Sequence, residues 1–128
     1  MKISQLAQQT GVSADTIRYY EKINLLPQPA RAANNYRRYT STHVKYLRFI
    51  KNCRQLDMTQ EEIHRLLELA TQPFEPCTEI NQLLDEHLEH VATRIEELLQ
   101  TQQLLQEVRQ LCQQPDLTHS CGILEGLT

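Results

Sequence analysis

The residues from Cys77 to Cys112 form an unbroken run without glycine or proline, and apolar side chains recur along it at helical spacing. This pattern predicts one long helix, and a single helix cannot bury its own apolar stripe. We therefore predict an antiparallel coiled-coil homodimer built on this helix. The seam follows a 4-3 register that two polar residues interrupt, and its positions are Leu84, Leu88, Val91, Ile95, Leu98, Gln102, Leu105, Arg109 and Cys112.

The cysteines at the two ends of this helix indicate a metal site shared between protomers. At about 1.5 Å per residue they lie on the order of 50 Å apart in one chain, so they cannot bind one ion there. In an antiparallel pair, Cys77 of one protomer meets Cys112 of the other, and the two-fold axis repeats the meeting at the opposite end. Cys121 follows after a loop and supplies a third thiol. Three thiolates make a soft site that suits Cd(II), Pb(II) and Hg(II) better than hard cations.

Three histidines are additional candidate ligands. His119, in the loop before the last cysteine, would move the site toward tetrahedral Zn(II), and the alternative is a solvated loop side chain. His87 and His90, with the neighbouring Glu86 and Glu89, could bind a second ion on the long helix. The alternative for this second group is a charged, solvated helix face.

Charge divides the chain into two parts. Residues 1–56 hold 10 Lys or Arg and 2 Asp or Glu, whereas residues 57–128 hold 3 and 14. The basic part suits nucleic acid, and the acidic part argues against DNA wrapping the whole protein. Met1 leads directly into a polar segment, and no apolar run approaches the ~20 residues of a membrane span, so we expect a cytoplasmic protein without a membrane partner. Four cysteines in that compartment suggest metal ligands, redox groups or buried apolar residues rather than structural disulfides.

The first residues predict a helix-turn-helix. Ser4 can cap a short helix that Gly11 ends, and Ser13 can cap a second helix that runs to Lys22. Ile17 faces inward on this second helix, as does Tyr20. The opposite face is the candidate for the DNA major groove, and the alternative is that its charges are only solvated. This outer face carries Asp15, Arg18, Tyr19 and Lys22.

A two-stranded wing is predicted after the second helix. Pro27 and Pro29 exclude further helix, Asn34 and Asn35 can form a turn, and residues 36–39 alternate as a short strand. Tyr39 is expected to pack inward. The arginines of the wing are suited to phosphate contacts, and they are Arg31, Arg37 and Arg38.

Two more helices complete the amino-terminal part. Thr40 or Ser41 caps a helix that extends to about Gln55, and Thr59 with Glu62 forms a capping box that begins the next helix. The inward positions are Val44, Leu47, Ile50, Ile63, Leu66 and Leu67, and Cys53 is expected to be a buried small apolar residue. The predicted fold is mainly all-α, with a winged helix-turn-helix DNA-binding domain over 1–72. A linker containing Pro73 and Pro76 and the dimerisation helix follow over 73–112, and a metal-binding loop and tail occupy 113–128.

Several segments together carry a resemblance to a known family. ISQLAQQTGVSADTIRYYEKINLLP, NYRRYT and FIKNCRQLDMTQEEI, followed by a long helix with a cysteine at each end, resemble the MerR family of metal-responsive transcription regulators across essentially the whole chain. The set Cys77, Cys112 and Cys121, with DEHLEHVATRIEEL and CGILEGL, is most similar to the cadmium- and lead-responsive branch. Asn35 departs from the family, which often has glycine at that position of the wing.

The resemblance implies a homodimer on double-stranded promoter DNA with an over-long spacer. Such proteins repress the promoter or hold it poised without metal, and they distort the DNA to activate transcription by RNA polymerase when metal binds, here Cd(II) or Pb(II). Arg18, Tyr19, Tyr36 and Arg37 match positions of the family that contact DNA. With those chosen from the pattern, the candidate DNA contacts are Ser13, Thr16, Arg18, Tyr19, Arg31, Tyr36 and Arg37.

Other functions are less well supported by the residues. A Zn(II)- or Hg(II)-responsive regulator and a thiol redox regulator of the same fold stay open as alternatives. An enzyme is not expected, because the sequence has no CxxC motif, no glycine-rich phosphate loop and no His/carboxylate pair beside a cysteine.

Overall fold

The structure, a computed structural model, describes residues 1–34, 36–72, 77–112 and 121–128. The predicted mainly helical fold with a small wing and a long carboxyl-terminal helix is confirmed. The predictions made for Asn35, Pro73, Pro76 and His119 lie outside the described residues. The elements are α1 (Ile3–Thr10), α2 (Ala14–Lys22), β1 (Ala30–Arg31), β2 (Arg37–Arg38), α3 (Ser41–Gln55), α4 (Gln60–Ala70), α5 (Cys77–Gln110) and α6 (Gly122–Leu127).

The chain forms two compact units, Met1–Leu83 and Leu84–Thr128. The first unit extends beyond residue 72, where the sequence placed the end of the DNA-binding domain. The reason is that Ile80 and Leu83, on the first turns of α5, pack against the core of this unit. The start of the long helix therefore contributes to the amino-terminal fold.

Local sequence signals fix the helix-turn-helix. Helix α1 begins at Ile3 rather than after Ser4, because the backbone N–H of Lys2 donates to Gln5 Oε1 at 2.9 Å and closes the first turn. Gly11 ends α1 in the left-handed conformation, with φ of 73°, which glycine adopts without steric cost. Ser13 caps α2 as predicted, since its Oγ accepts from the Thr16 N–H at 3.2 Å.

The core of the first unit lies where the four helices meet the wing. Most of the predicted inward positions are buried, but Leu67 is only partly so, and Leu69 takes the buried position near the end of α4. Each fully buried aliphatic or aromatic side chain contributes about 1.5–3 kcal/mol. The two core clusters contain Leu6, Ile17, Leu26, Tyr39, Val44 and Leu47, and Leu25, Ile50, Cys53, Met58, Ile63 and Leu66.

A left-handed residue and a two-residue ladder place the wing. Asn24, with φ of 63°, turns the chain after α2. Strands β1 and β2 are antiparallel, and Ala30 pairs with Arg38. Tyr39 continues the ladder to the chain start, because its N–H donates to the Met1 carbonyl at 2.8 Å and its carbonyl accepts from the Met1 ammonium at 2.6 Å. The wing is thus held by the first residue of the chain.

In the second unit, α5 keeps its apolar side chains in solvent. Leu88, Ile95, Leu98 and Leu105 of the predicted seam are all more than half exposed, whereas Val91 is partly buried. The short helix α6 lies at the carboxyl-terminal end of this unit. Within the described residues, none of the helices combines the length and apolar character that crossing a membrane requires.

Candidate functional site

The outward face of α2 presents the predicted DNA contacts on a capped helix. Ser13 and Thr16 sit at its amino terminus, where the Ser13 hydroxyl donates to Thr16 Oγ1 at 2.8 Å. Arg18 is exposed and pairs with Asp15 at 3.1 Å, in the i,i+3 geometry of a weak surface ion pair. Tyr19 is 45% exposed, and its hydroxyl accepts a hydrogen bond from Gln60 of α4. A phosphate or a base edge could replace such partners at little cost.

The wing divides its arginines between solvent and the protein. Arg31 and Arg38 are exposed, and Tyr36 is 69% exposed. Arg37 is only partly exposed, because its guanidinium donates to the carboxylate of Glu21 on α2 at 2.8 Å. The sequence assigned Arg37 to DNA, and the structure adds this contact within the protein.

Glu21, which the sequence pattern did not single out, joins the wing to α2. Its side chain is 3% exposed, and its second carboxylate oxygen accepts from the Tyr39 hydroxyl at 2.5 Å. Burial and the hydrogen bond to Glu21 both raise the pKa of Tyr39. A buried acidic residue needs such partners, because an unpaired carboxylate is costly to desolvate. The only signal in the sequence was an acidic residue at an inward helical position.

A basic cleft lies beside the wing. Its volume is about 360 Å³, and its walls come from the start of α1 and from the wing. Lys2, Arg37 and Arg38 lie along it with the chain amino terminus, and Tyr36 supplies a ring at the rim. Several cations around one cleft favour a polyanion such as the phosphate backbone of DNA.

A second buried polar residue, His43, fixes the chain that leads into the wing. Its Nδ1 accepts from the Thr40 N–H at 3.0 Å, and its Nε2 lies 3.1 Å from the Pro27 carbonyl oxygen. An acceptor at Nδ1 requires the proton on Nε2, so the neutral ring donates to Pro27. This residue was also missed from sequence, because the ring connects segments far apart in the chain.

The three cysteines proposed as ligands form no disulfide, and they differ in exposure. Cys77 is the first residue of α5 and is exposed, whereas Cys112 is partly buried just beyond the end of this helix. Cys121 is exposed at the N-cap of α6, and its thiol makes no capping hydrogen bond. Cys53 is 6% exposed in the core, as predicted, and burial raises the pKa of its thiol.

The packing of α6 limits the separation of two of these cysteines. A Cβ added to Gly122 would lie 2.6 Å from the carbonyl oxygen of Leu111, so the backbones of α6 and of the α5 terminus are in direct contact. Cys121 precedes Gly122, and Cys112 follows Leu111. Standard bond lengths then limit the Cα–Cα distance between Cys112 and Cys121 to about 11 Å at most. This is an upper bound, and it leaves room for the shorter separations at which two cysteine side chains reach one ion.

The helix end that carries Cys112 is itself held in place. The guanidinium of Arg109 donates to the Cys112 carbonyl at 3.1 Å, and the Cys112 N–H donates to the Arg109 carbonyl at 3.4 Å. Arg109 was assigned to the dimer seam, and here it satisfies a carbonyl at the helix terminus.

In the predicted second metal group, the two histidines each have a ring nitrogen within 4.8 Å of the other. His87 is buried and His90 is exposed. Among the described residues, the carboxylates of Glu86 and Glu89 do not gather with these rings into a set of ligand atoms. The burial of His87 also departs from the solvated face that was the alternative.

Comparisons with known proteins agree on one family. The model of the MerR helix-turn-helix family of regulatory proteins matches residues 1–70, and the model described as "MerR, DNA binding" matches residues 44–116. The HTH-type transcriptional regulator ZntR homolog of Haemophilus influenzae is 44% identical over 110 residues, which cover 86% of this chain and 82% of that protein.

Two solved structures share the fold along nearly the whole chain. The transcription regulator PbrR691 from Ralstonia metallidurans in complex with lead(II) matches with a TM-score of 0.84 and 38% identity, over 100% of this chain and 99% of that one. The regulator MerR from Bacillus megaterium in complex with mercury(II) matches with a TM-score of 0.73 and 29% identity, over 99% and 98%. From the family models, the relative and the fold together, the chain belongs to the MerR family of helix-turn-helix transcriptional regulators.

Proposed function

We propose that this protein is a homodimeric regulator that binds promoter DNA and activates transcription of heavy-metal resistance genes when Cd(II) or Pb(II) binds. Each ion is held by Cys77 of one protomer and by Cys112 and Cys121 of the other. Metal binding changes the arrangement of the two chains, which distorts the promoter and makes it usable by RNA polymerase.

The DNA-binding part of the proposal is supported by the first compact unit. Its exposed cations and tyrosines lie on α2 and on the wing, and the contact between Glu21 and Arg37 holds these two elements together. Helix α2 is the element suited to the major groove, and the wing is suited to the flanking phosphates. The acidic second part of the chain remains off the DNA.

Dimerisation through α5 is supported by the apolar side chains that this helix leaves in solvent. Several leucines and Ile95 are more than half exposed over successive turns. Soluble monomeric proteins rarely expose so extended an apolar surface, so this surface is expected to be covered by a partner. An antiparallel partner would cover the stripe and bring its own Cys77 to the end where Cys112 lies.

The single observation that supports the metal proposal is the backbone contact between Gly122 and Leu111, which limits how far Cys121 can lie from Cys112. Both thiols are free, and the partner's Cys77 would complete a three-thiolate site. Sulfur ligands favour soft ions, and a structural neighbour is a lead(II) complex. Hg(II), which a second neighbour binds, and Zn(II), which would need a fourth ligand, are the alternatives.

A metal titration of the purified dimer tests this function. Cd(II), Pb(II), Hg(II) and Zn(II) are each added while the ultraviolet thiolate-to-metal bands and the stoichiometry are recorded. We expect two ions per dimer, with proton release because thiols must lose protons to bind metal. Serine in place of any one of the three ligands should abolish the thiolate-to-metal bands and the induction, while DNA binding persists; the variants are Cys77→Ser, Cys112→Ser and Cys121→Ser. Cys53→Ser is the matched control, and it should retain the bands, the induction and DNA binding.

The adjacency of Cys112 and Cys121 also suits a redox regulator, in which these thiols would form a disulfide. Transcription from the target promoter separates the two functions. A metal regulator responds to Cd(II) or Pb(II) under reducing conditions, whereas a redox regulator responds to a thiol oxidant without added metal.

A further inference from the structure

We propose that Gly122 is a positioning residue for the thiol pair: the absence of a side chain at this residue lets α6 rest on the Leu111 carbonyl and so sets the distance from Cys121 to Cys112. The inference deepens the proposed metal site and rests on it for its functional meaning. The geometric part concerns the metal-free chain alone.

The first step is that the contact is made by backbone on both sides. A Cβ on Gly122 would lie 2.6 Å from the Leu111 oxygen and 3.4 Å from the Leu111 carbonyl carbon. Real Cβ atoms essentially never approach an oxygen that closely, so one backbone would have to move. Cys112, which follows Leu111, is held at the helix end by its hydrogen bonds with Arg109. The movable partner is therefore α6, and Cys121 moves with it.

The second step is that glycine is required here for its size and not for its backbone. Gly11 is the one glycine in the described residues with positive φ, so Gly122 has a conformation that alanine adopts freely. Alanine is also a better helix former than glycine. Any loss caused by Gly122→Ala must then come from the overlap with the Leu111 carbonyl.

The same short helix supplies a matched control. A Cβ on Gly126 would overlap the Leu111 Cδ1 methyl, which ends a flexible side chain that is 52% exposed. That methyl can rotate away, whereas the Leu111 carbonyl that Gly122 contacts is part of the backbone and cannot. Gly126→Ala makes the same chemical change on the same helix, yet it should leave the thiol pair in place. Leu111→Ala removes the methyl but retains the carbonyl, so it should not rescue Gly122→Ala.

The experiment measures the thiol pair without metal. In the full-length protein carrying Cys53→Ser and Cys77→Ser, the Cys112–Cys121 dithiol is equilibrated with oxidised and reduced glutathione. Oxidation forms one protein disulfide and converts one oxidised glutathione to two reduced molecules, so the equilibrium gives the effective concentration of the pair. We expect Gly122→Ala to lower the effective concentration of the thiol pair by at least about tenfold, because overpacking against rigid groups is costly. The same loss is expected when Leu111→Ala is also present. Gly126→Ala should change the effective concentration by less than about twofold.

A second measurement separates this inference from the proposed function. Cd(II) affinity is determined in the background that keeps Cys77, and DNA binding reports whether Met1–Leu83 remains folded. If Gly122→Ala leaves the glutathione equilibrium unchanged, or if Leu111→Ala restores it, the positioning role is wrong. If Gly122→Ala lowers the effective concentration but not the Cd(II) affinity, the positioning role stands and the assignment of Cys112 and Cys121 as joint ligands fails.

Discussion

Arg37 on the wing donates a 2.8 Å hydrogen bond to the buried carboxylate of Glu21 on α2. The same carboxylate accepts from the Tyr39 hydroxyl, so one acidic residue links the second helix to strand β2 and to the residue that follows it. The two surfaces proposed to bind DNA are therefore held at a fixed spacing within the first unit. A substitution that breaks this link should act on stability before it acts on DNA.

Arg37→Ala should destabilise the protein by about 1–3 kcal/mol, because among the described residues it leaves the buried Glu21 carboxylate with the Tyr39 hydroxyl as its one remaining partner. The value is below that of a fully buried pair, since the Arg37 side chain is 38% exposed. The free energy of unfolding in urea measures the loss. Arg38→Ala on the same strand is the control and should cost less than about 0.5 kcal/mol, because Arg38 is exposed. Equal losses in the two variants would show that the link to Glu21 contributes no stability.

Alkaline pH should destabilise the first unit through two buried groups. The pKa values of Cys53 and Tyr39 are raised above their ordinary values of 9.0 and 10.0 by burial, and for Tyr39 also by the hydrogen bond to Glu21. A raised pKa in the folded state means that stability is complete below the ordinary value and is lost as pH rises toward the folded value. The free energy of unfolding should thus fall from about pH 9 upward, by at most ~1.4 kcal/mol per pH unit for each group.

Cys53→Val tests which group begins this loss. The variant should keep its stability up to about pH 10, where Tyr39 begins to contribute. Unfolding curves between pH 8 and 11 provide the measurement. An unchanged onset near pH 9 in the variant would exclude Cys53 as the source.

Much of the first unit could be predicted because its signals are local. The caps at Ser13 and Thr59 depend on residues three positions away, and Gly11 ends α1 through its own backbone freedom. The apolar spacing of α3 indicated its buried face, including Cys53. These features need no knowledge of what lies elsewhere in the chain.

What the sequence missed depends on contacts between distant residues. Glu21 and Arg37 lie 16 residues apart, and nothing local marks a helical Glu as buried and paired. The start of α1 was shifted because Gln5, rather than Ser4, closes the first turn. The contact of Gly122 with Leu111 joins segments on the two sides of a loop, so the spacing of the cysteines alone could not reveal it.

Arg18→Ala should weaken binding to the cognate promoter by roughly 1–3 kcal/mol if the side chain reads a base, or weaken all sequences alike and reduce the salt slope if it holds a phosphate. The ion pair with Asp15 does not prevent Arg18 from contacting DNA, because the Asp15 side chain is 97% exposed and the pair is weak. Arg94→Ala is a close control, because Arg94 forms the same i,i+3 type of pair with Glu97 on α5. DNA titrations at several salt concentrations measure the affinity and the salt slope of the two variants. Equal affinities for wild type and Arg18→Ala would remove Arg18 from the interface.

Ile95→Asp should convert the dimer to monomers. Ile95 is 54% exposed in the single chain, so aspartate costs little there, but at the middle of the seam it would be buried without a partner charge. Gln100→Asp adds the same charge outside the predicted register and should leave the dimer intact. Sedimentation at micromolar concentration distinguishes the species. A dimer that survives Ile95→Asp would mean that α5 does not form the interface proposed.

Mixed dimers provide the sharpest test of a metal site shared between protomers. When Cys77→Ser and Cys112→Ser subunits pair, one site carries both substitutions and the other carries neither. The heterodimer should therefore bind one ion, although neither parent homodimer binds any. Differently tagged subunits, purified as the mixed species and titrated with Cd(II), give the stoichiometry from the thiolate-to-metal bands.

A second mixture tests whether metal binding is recovered in any heterodimer, including one in which no intact site can form. Cys112→Ser and Cys121→Ser subunits place one substitution in each site, because these two cysteines belong to the same half of a site, so no intact site can form. This heterodimer should bind no ion with wild-type affinity. If the Cys77→Ser and Cys112→Ser pair also fails to bind, the three ligands do not come from two chains in the way proposed. A wild-type site in the control mixture would instead separate Cys112 from Cys121, against the contact that brings α6 to the end of α5.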